Sequence, residues 1–322
     1  MDRNLSLNIV RVTEAAALGC AKYMGRGDKN IADKGAVDNM RKMFDTIDID
    51  GEVVIGEGEL DEAPMLYIGE KIGMASENAP KVDIAVDPLD GTNCVAKGLN
   101  NAIAVIAMGP KGSLLKAPDT YMNKICVGPK AKGVIDLAKP MKENMINIAN
   151  ALGKDLSELT VTMLERERHA EYINICRELG CRIKLFQDGD VATAIATCFE
   201  DTGVDVMIGK GGAPEGVIAA AAIKCLGGEM QGQLSPMSEE EVQRCNEMNV
   251  DVEKIYKLED LVGSDDVYFA ATGVSDGDFL KGVRYMSKNI CKTHSVVMRA
   301  STGTIRFVEA VHDMEKKPDY AK

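Results

Sequence analysis

The stretch VDIAVDPLDGTN, residues 82–93, decides how the rest of the chain is read. Val82, Ile84 and Val86 form a β-branched run suited to the interior of a sheet. The run ends in Asp87 and Asp90, and a buried carboxylate is costly unless something positive meets it. Pro88 and Gly91 shape a turn able to aim both acids at one spot, with the Thr92 hydroxyl beside them. Two readings compete: a tight acidic turn with a structural job, or half of a cation site. Taken alone, DPLDG is more often a turn.

Working outward, acids recur where apolar runs stop: Asp33, then Glu57, Glu59 and Asp61 in GEGELDE, then Asp87 and Asp90. Carboxylates without His or Cys are the ligand set that hard Mg2+ or Mn2+ prefers. The three histidines, His169, His294 and His312, make a His-rich zinc site or a Ser–His–Asp triad a poor fit. A neutral hydroxyl such as that of Thr92 activates water poorly unless a carboxylate accepts its proton. This segment supplies several.

Composition narrows the class. The chain has 322 residues, 45% hydrophobic and 27% charged, enough for one large globular domain or two lobes. A net charge of −12 argues against general binding to nucleic acid or anionic membranes. An anionic small substrate stays open, because bound divalent cations and a few arginines invert the local field. The nine cysteines are scattered with no CxxC pair, which reads as free thiols in a reducing cytoplasm. MDRNLSLNIV carries no apolar signal core, and the longest uniformly apolar run, VIAAAAI (217–223), is too short to span a bilayer. Cytoplasmic localisation is the expectation.

Strands alternate with helices, which predicts an α/β protein with layered sheets. Residues 5–24 read as a helix, and Asp33 is placed just ahead of a second one. Val53 to Ile55 read as a short strand, residues 65–74 as a helix and 101–109 as a strand. RIKLFQDGD reads as a strand ending in two aspartates; VDVMIGKGGAPEGVIAAAAIKCLGG reads as strand, glycine loop and helix, a grammar that VYFAATGVSDGD repeats. THSVVMRASTGTIRFVEAVHDM reads as a closing hairpin, and Ser238 caps an acidic helix in SEEEVQRCNEMN. A lobe boundary is placed near 150–160. In isolation the DGD of 188–190 fits an Asx turn as well as a sugar contact, and LERERHAEY fits a charged helix face.

Longer stretches carry a resemblance. DPLDGT resembles the signature of the lithium-sensitive, metal-dependent sugar phosphatases. GRGDKNIADKGAVD, IDGEVVIGEGELDEAPMLYIGEKIG, APDTYMNKI, VGPKAKGVIDL, QDGDVATAI and GKGGAPEGVIAAAAI together resemble class II (GlpX-type) fructose-1,6-bisphosphatases, from about residue 3 to 310. The resemblance implies an α-β-α-β-α sugar phosphatase fold with two mixed sheets. It also implies hydrolysis of the 1-phosphate of fructose 1,6-bisphosphate with Mn2+ or Mg2+.

The family's metal-ligand positions fall on Asp33, Glu57, Asp87, Asp90 and Glu215, and its essential threonine on Thr92. Lys29 and Asp61 match positions near the reaction centre. Substrate contacts fall on Asp90, Gly91, Thr92, Tyr121, Arg166, Glu167, Arg168, Asp188, Gly189, Asp190 and Gly212. A metal-binding and catalytic lobe (1–155), a sugar-phosphate lobe (156–322) and a homodimer or homotetramer are further expectations. Sedoheptulose 1,7-bisphosphate and inositol monophosphate are the alternative substrates, and a non-catalytic metal-binding protein is the alternative class. Two departures stand out: Asp90 where the family often has Glu, and Arg166-Glu167 where it often has Lys-Pro. Glu167 is therefore expected to point away from the phosphate.

Overall fold

The computed structural model describes residues 5–58 and 64–317. The chain begins α1 (Leu5–Ala21), α2 (Lys29–Phe44), β1 (Asp50–Ile55), β2 (Lys71–Ile72), β3 (Lys81–Asp90), α3 (Thr92–Lys97), β4 (Ile103–Pro110) and β5 (Tyr121–Val127). It continues α4 (Met141–Leu152), β6 (Thr160–Leu164), α5 (Ala170–Leu179), β7 (Arg182–Phe186), α6 (Asp190–Ala196), β8 (Val206–Gly212) and α7 (Ala213–Leu226). Next come β9 (Glu229–Leu234), α8 (Glu239–Glu247), β10 (Ile255–Lys257) and α9 (Leu258–Leu261). The last elements are β11 (Tyr268–Gly273), β12 (Arg284–Tyr285), β13 (Ile290–Arg299) and β14 (Thr304–Asp313).

These strands build two mixed sheets. One runs β12-β13-β11-β4-β3-β1-β2, with β14 also paired to β13; the other runs β10-β9-β5-β8-β6-β7. β1 and β3 are parallel, as β6 is to β7 and to β8. Helices α1 and α2 cover one face of the first sheet, where Ile9, Met40 and Phe44 share a core with Ile84, Ile106 and Tyr268. Helices α6 and α7 fill the space between the sheets. Helices α4 and α5 cover the second sheet, with Met145, Ile148 and Cys176 sharing a core with Ile125 and Val161. The result is the expected α-β-α-β-α layering. Between Glu215 in its first turn and Lys224 in its last, helix α7 is apolar all round, as an interior helix must be, and its run Ala219 to Ala222 is small enough for both sheets to close on it.

Four local expectations need correction. Asp33 lies inside α2, because Asp28 takes the N-cap: its carboxylate accepts from Asn30 N (3.0 Å) and Ile31 N (3.1 Å). The helix expected over 65–74 does not form. Gly69 and Gly73 adopt φ of 92° and 96°, and the segment folds back so that β2 pairs antiparallel with β1. Glu70 fastens that return, bonding Leu66 N and pairing with Arg41 Nε at 2.5 Å. The glycines of GKGG are not a loop but the end of β8, paired with β5 and followed directly by α7. After β11 the chain turns without a helix.

All nine cysteines are free thiols. The terminal hairpin is formed by β13 and β14, and Ser238 Oγ caps α8 by accepting from Glu241 N (3.2 Å). Among the described residues no helix is long and apolar enough to cross a membrane.

Candidate active site

A β-bulge answers the question set by residues 82–93. β3 pairs with β4 as Asp87↔Val105 and then Asp90↔Ile103, so three steps along one strand oppose two along the other. Strand side chains alternate faces, and residues three apart would diverge; the extra residue brings Asp87 and Asp90 to the same side. Gly91, at φ 93°, then turns the chain into α3, which Thr92 opens. The acidic segment is thus the bulged end of a strand rather than a turn after it.

Parallel pairing of β1 with β3 delivers Glu57 to the same end of the sheet. In the second sheet β7 and β8 both run parallel to β6, which lies between them, so Asp188 and Glu215 emerge at the same end of the sheet, Glu215 from the first turn of α7. Carboxyl ends of parallel strands are where α/β sheets place ligands. There the structure has a cavity of about 340 Å³. Asp33, Glu57, Asp87, Asp90 and Glu215 all line it, together with Gly91, Thr92 and Asp188. Asp61 and Glu59 lie outside the described residues.

The electrostatics are those of buried acids held together, with Lys29 and Lys124 offsetting only part of their charge. Burial, then Asp33 and Glu215, push the Glu57 carboxyl up to about 8. Burial, then Asp90, Glu215 and Glu57, hold Asp87 well above the usual carboxylate range. Asp90 is raised the same way, by burial and then Asp190, Glu215 and Asp188. Burial also raises Asp33 against the pull of Lys29. Glu215 is pushed up to about 6 by burial and Asp190, with Lys124 opposing. Few donors reach these groups: Leu89 N lies 3.0 Å from Asp87 Oδ1, and Ala192 N lies 3.4 Å from Asp90 Oδ2.

Of the other candidates, Asp188 lines this cavity, whereas Tyr121, Arg166, Glu167 and Arg168 are outside its lining. Tyr121 pairs with Gly212 across β5 and β8. Over its ring lie Arg168, with Cζ 4.9 Å from the centroid, and Lys210, with Nζ at 5.5 Å. Arg168 Nε donates to Lys210 O (3.0 Å), so the three form one basic platform. Arg166 instead donates to Gln187 O (2.6 Å) and Glu165 O (2.9 Å), bracing the loop before Asp188. Glu167 opens a short 3-10 turn and is exposed. Asp188 Oδ2 accepts from Asn93 N (2.9 Å) and Asn93 Nδ2 (3.1 Å), tying the second sheet to α3. His169 is buried and bridges backbone: Nδ1 donates to Leu164 O (2.7 Å) and Nε2 accepts from Lys210 N (2.8 Å).

The sequence profile described as bacterial fructose-1,6-bisphosphatase, glpX-encoded, matches residues 3–312. The chain belongs to this family. The fructose-1,6-bisphosphatase 1 class 2 of Escherichia coli (strain K12) is 48% identical over 330 aligned positions, 98% of this chain and 97% of the relative. The class 2 enzyme of Haemophilus influenzae is 47% identical, covering 98% of each chain.

Against that family identity, the donor set can be tested for a metal. Among the described residues no three His, Cys, Asp or Glu side chains converge closely enough to form a ready-made ion site. The acids line the cavity instead of meeting at a point. Yet among the described residues Glu215 Oε2 is buried without a hydrogen-bond partner, an arrangement that costs stability unless something positive satisfies it. A Cβ at Gly212 would collide with that same carboxylate, so the glycine leaves it room. An oxygen-only set with an orphaned buried carboxylate fits a hard divalent cation.

Three residues at the site were not singled out from the sequence. Asp119 lines the cavity rim. Lys210 joins Tyr121 and Arg168, though nothing local distinguishes it from a surface lysine. Lys124, 2% exposed, pairs with Asp190 (2.5 Å) and donates to Gly212 O (2.8 Å). Period-two reading of β5 would have found it: Met122 and Cys126 face the inter-sheet core, and Lys124 lies between them on the same face.

Proposed function

We propose that this chain is a metal-dependent phosphoric monoester hydrolase that converts D-fructose 1,6-bisphosphate and water to fructose 6-phosphate and phosphate. This is the gluconeogenic direction, and the proposed setting is the cytoplasm. One observation carries the reading: in a chain of this family, the bulge after Asp87 turns two acids and Thr92 into the cavity that Asp33, Glu57 and Glu215 also line.

Asp33, Glu57, Asp87, Asp90 and Glu215 would hold Mn2+ or Mg2+. When bound, such an ion neutralises charge on the phosphoryl group and eases loss of a proton from water. The Thr92 hydroxyl orients a water for in-line attack, and Asp33 or Asp61 takes its proton. Transfer goes directly to water with no phosphoenzyme. Lys29, at the start of α2, steadies charge near Asp33. Asp90, Gly91 and Thr92 contact the reacting phosphate.

Arg168 holds the distal phosphate over Tyr121, since a guanidinium fork grips phosphate in two places. Asp188, Gly189, Asp190 and Gly212 contact the sugar. Arg166 and Glu167 shape the loop beside it. Residues 1–155 thus bring every metal position except Glu215, and 156–322 bring most sugar-phosphate contacts. The proposed assembly is a homodimer or homotetramer.

The test is phosphate release from fructose 1,6-bisphosphate with Mn2+, with Mg2+, with either plus lithium, and with chelator. Metal-dependent release inhibited by lithium supports the reading; equal release in chelator overturns it. Parallel assays on sedoheptulose 1,7-bisphosphate and inositol monophosphate test the substrate, and faster release from either would replace it.

A further inference from the structure

Among the described residues Lys124 is the only buried lysine or arginine. It stands in β5 on the face that Met122 and Cys126 give to the core between the sheets. A buried ammonium is costly unless it is paired, and this one has two partners. Asp190 Oδ2 accepts from Nζ at 2.5 Å and Gly212 O accepts from it at 2.8 Å. The lysine reaches them past two glycines. A Cβ at Gly216 would crowd its Cδ, and one at Gly211 would meet both Nζ and Asp190 Oδ2.

Stability alone does not account for the pair. Replacing a buried ion pair with well-packed apolar groups is commonly neutral or stabilising, and the core around Met122 and Cys126 is apolar. The partners point to the site instead. Asp190 opens α6 two residues after Asp188, and Gly212 leads directly into α7, whose first turn carries Glu215. Lys124 therefore fastens the start of α6 to the junction of β8 and α7. Among the described residues only Oδ2 of the Asp190 carboxylate is engaged, which leaves Oδ1 to accept from a hydroxyl.

We infer that Lys124 is a positioning residue for the sugar: anchored on Gly212 O, it holds the Asp190 carboxylate in the orientation in which Oδ1 accepts from a hydroxyl of the ketose. The inference rests on the proposed reading of Asp190 as a sugar contact. Lys124 acts through that carboxylate and not on the reacting phosphate. Without it the carboxylate turns freely, so affinity for the sugar falls while the groups proposed for the transfer step stay in place.

The test titrates the full-length chain by calorimetry with fructose 6-phosphate, which carries the sugar and the distal phosphate and lacks the reacting one. Lys124→Met, similar in length and uncharged, is expected to bind it about tenfold more weakly than wild type, as for loss of one charge-assisted contact. In an Asp190→Asn background the same change should add less than about twofold, because the carboxylate that Lys124 orients is already gone. In steady-state assays KM for the bisphosphate should rise about tenfold at nearly constant turnover. A lysine with a purely structural role would lower the melting temperature and leave affinity and KM unmoved. Unchanged affinity in Lys124→Met overturns the proposal, and so does an equal loss in both backgrounds or a fall in turnover at constant KM. Should Lys124→Met fail to fold, Lys124→Met/Asp190→Asn leaves neither charge of the pair and is compared with Asp190→Asn; clearly unequal affinities overturn the proposal. Wild type that binds fructose 6-phosphate but releases no phosphate from the bisphosphate sinks the hydrolase reading alone. Wild type that binds no fructose 6-phosphate sinks this one.

Discussion

The active-site cavity and the seam beneath α1 both bury polar side chains against the first sheet, and they settle them in opposite ways. In the seam every group has a partner. Thr13 Oγ1 lies 2.7 Å from Thr272 Oγ1, which lies 2.7 Å from Ser295 Oγ. Thr293 donates to Glu14 Oε1 (3.2 Å) and accepts from His312 Nε2 (2.7 Å). In the cavity the acids mainly face one another, and among the described residues Glu215 Oε2 has no donor. Satisfied polar groups rigidify a core, whereas unsatisfied ones store a cost that a ligand can relieve. The seam is built for stability and the cavity for binding.

Glu215→Gln should break that contrast most. It removes a like charge and gives the buried position a donor, so the metal-free protein should melt higher while Mn2+-dependent turnover falls more than about 100-fold, beyond what an outer-sphere partner costs. A lower metal-free melting temperature would mean that the cavity acids are not in conflict. Thr92→Ala comes next, with turnover falling about 100-fold and KM little changed, as for loss of a group that positions a proton transfer. Near wild-type turnover in steady-state assays would remove Thr92 from the chemistry. Arg168→Ala should raise KM for the bisphosphate about tenfold at nearly constant turnover. An unchanged KM with reduced turnover would contradict its place over Tyr121.

The seam gives the smaller effects. Thr293→Val leaves Glu14 and His312 without their shared partner and should cost about 1–3 kcal/mol in urea unfolding, with no change in turnover. Its pH dependence has a definite sign. Burial pushes His312 down to about 4, so the folded state holds it neutral while the unfolded chain takes up a proton below about 6.5. Its contribution is full above that value and is lost as pH falls toward 4. Glu14 acts in reverse: burial raises its carboxyl, so its contribution is full in acid and fades as pH rises through the raised value. His312→Asn should therefore flatten the acid limb of the melting profile and Glu14→Gln should steepen it. Parallel profiles would show that neither group is linked to unfolding.

Much of this was legible in residues 82–93 and their echoes. The β-branched run and the alternation of strand with helix gave the layered fold, the recurrent acids pointed to Asp33, Glu57, Asp87 and Asp90, and the family resemblance added Glu215 to complete the five acids that line the cavity. The failures are local and physical. Residues 65–74 have helical composition, but Gly69, Gly73 and the Arg41–Glu70 pair turn them back onto β1. The GKGG glycines read as a loop, but pairing with β5 makes them the end of β8. Lys124 is marked in the sequence only by strand parity, which sets it on the same face of β5 as Met122 and Cys126.

What the sequence determined by itself was chemistry: which side chains are acids, where β-branched runs stop, and where glycine permits a backbone approach. What only the tertiary structure decided was convergence. Strands from residues 268–313 join the first sheet across the whole intervening segment, and the bulge in β3 turns Asp87 and Asp90 the same way. The reason is that sequence patterns encode local periodicity, whereas a shared cavity depends on register between strands far apart in the chain, and register is fixed by packing both faces of a sheet at once.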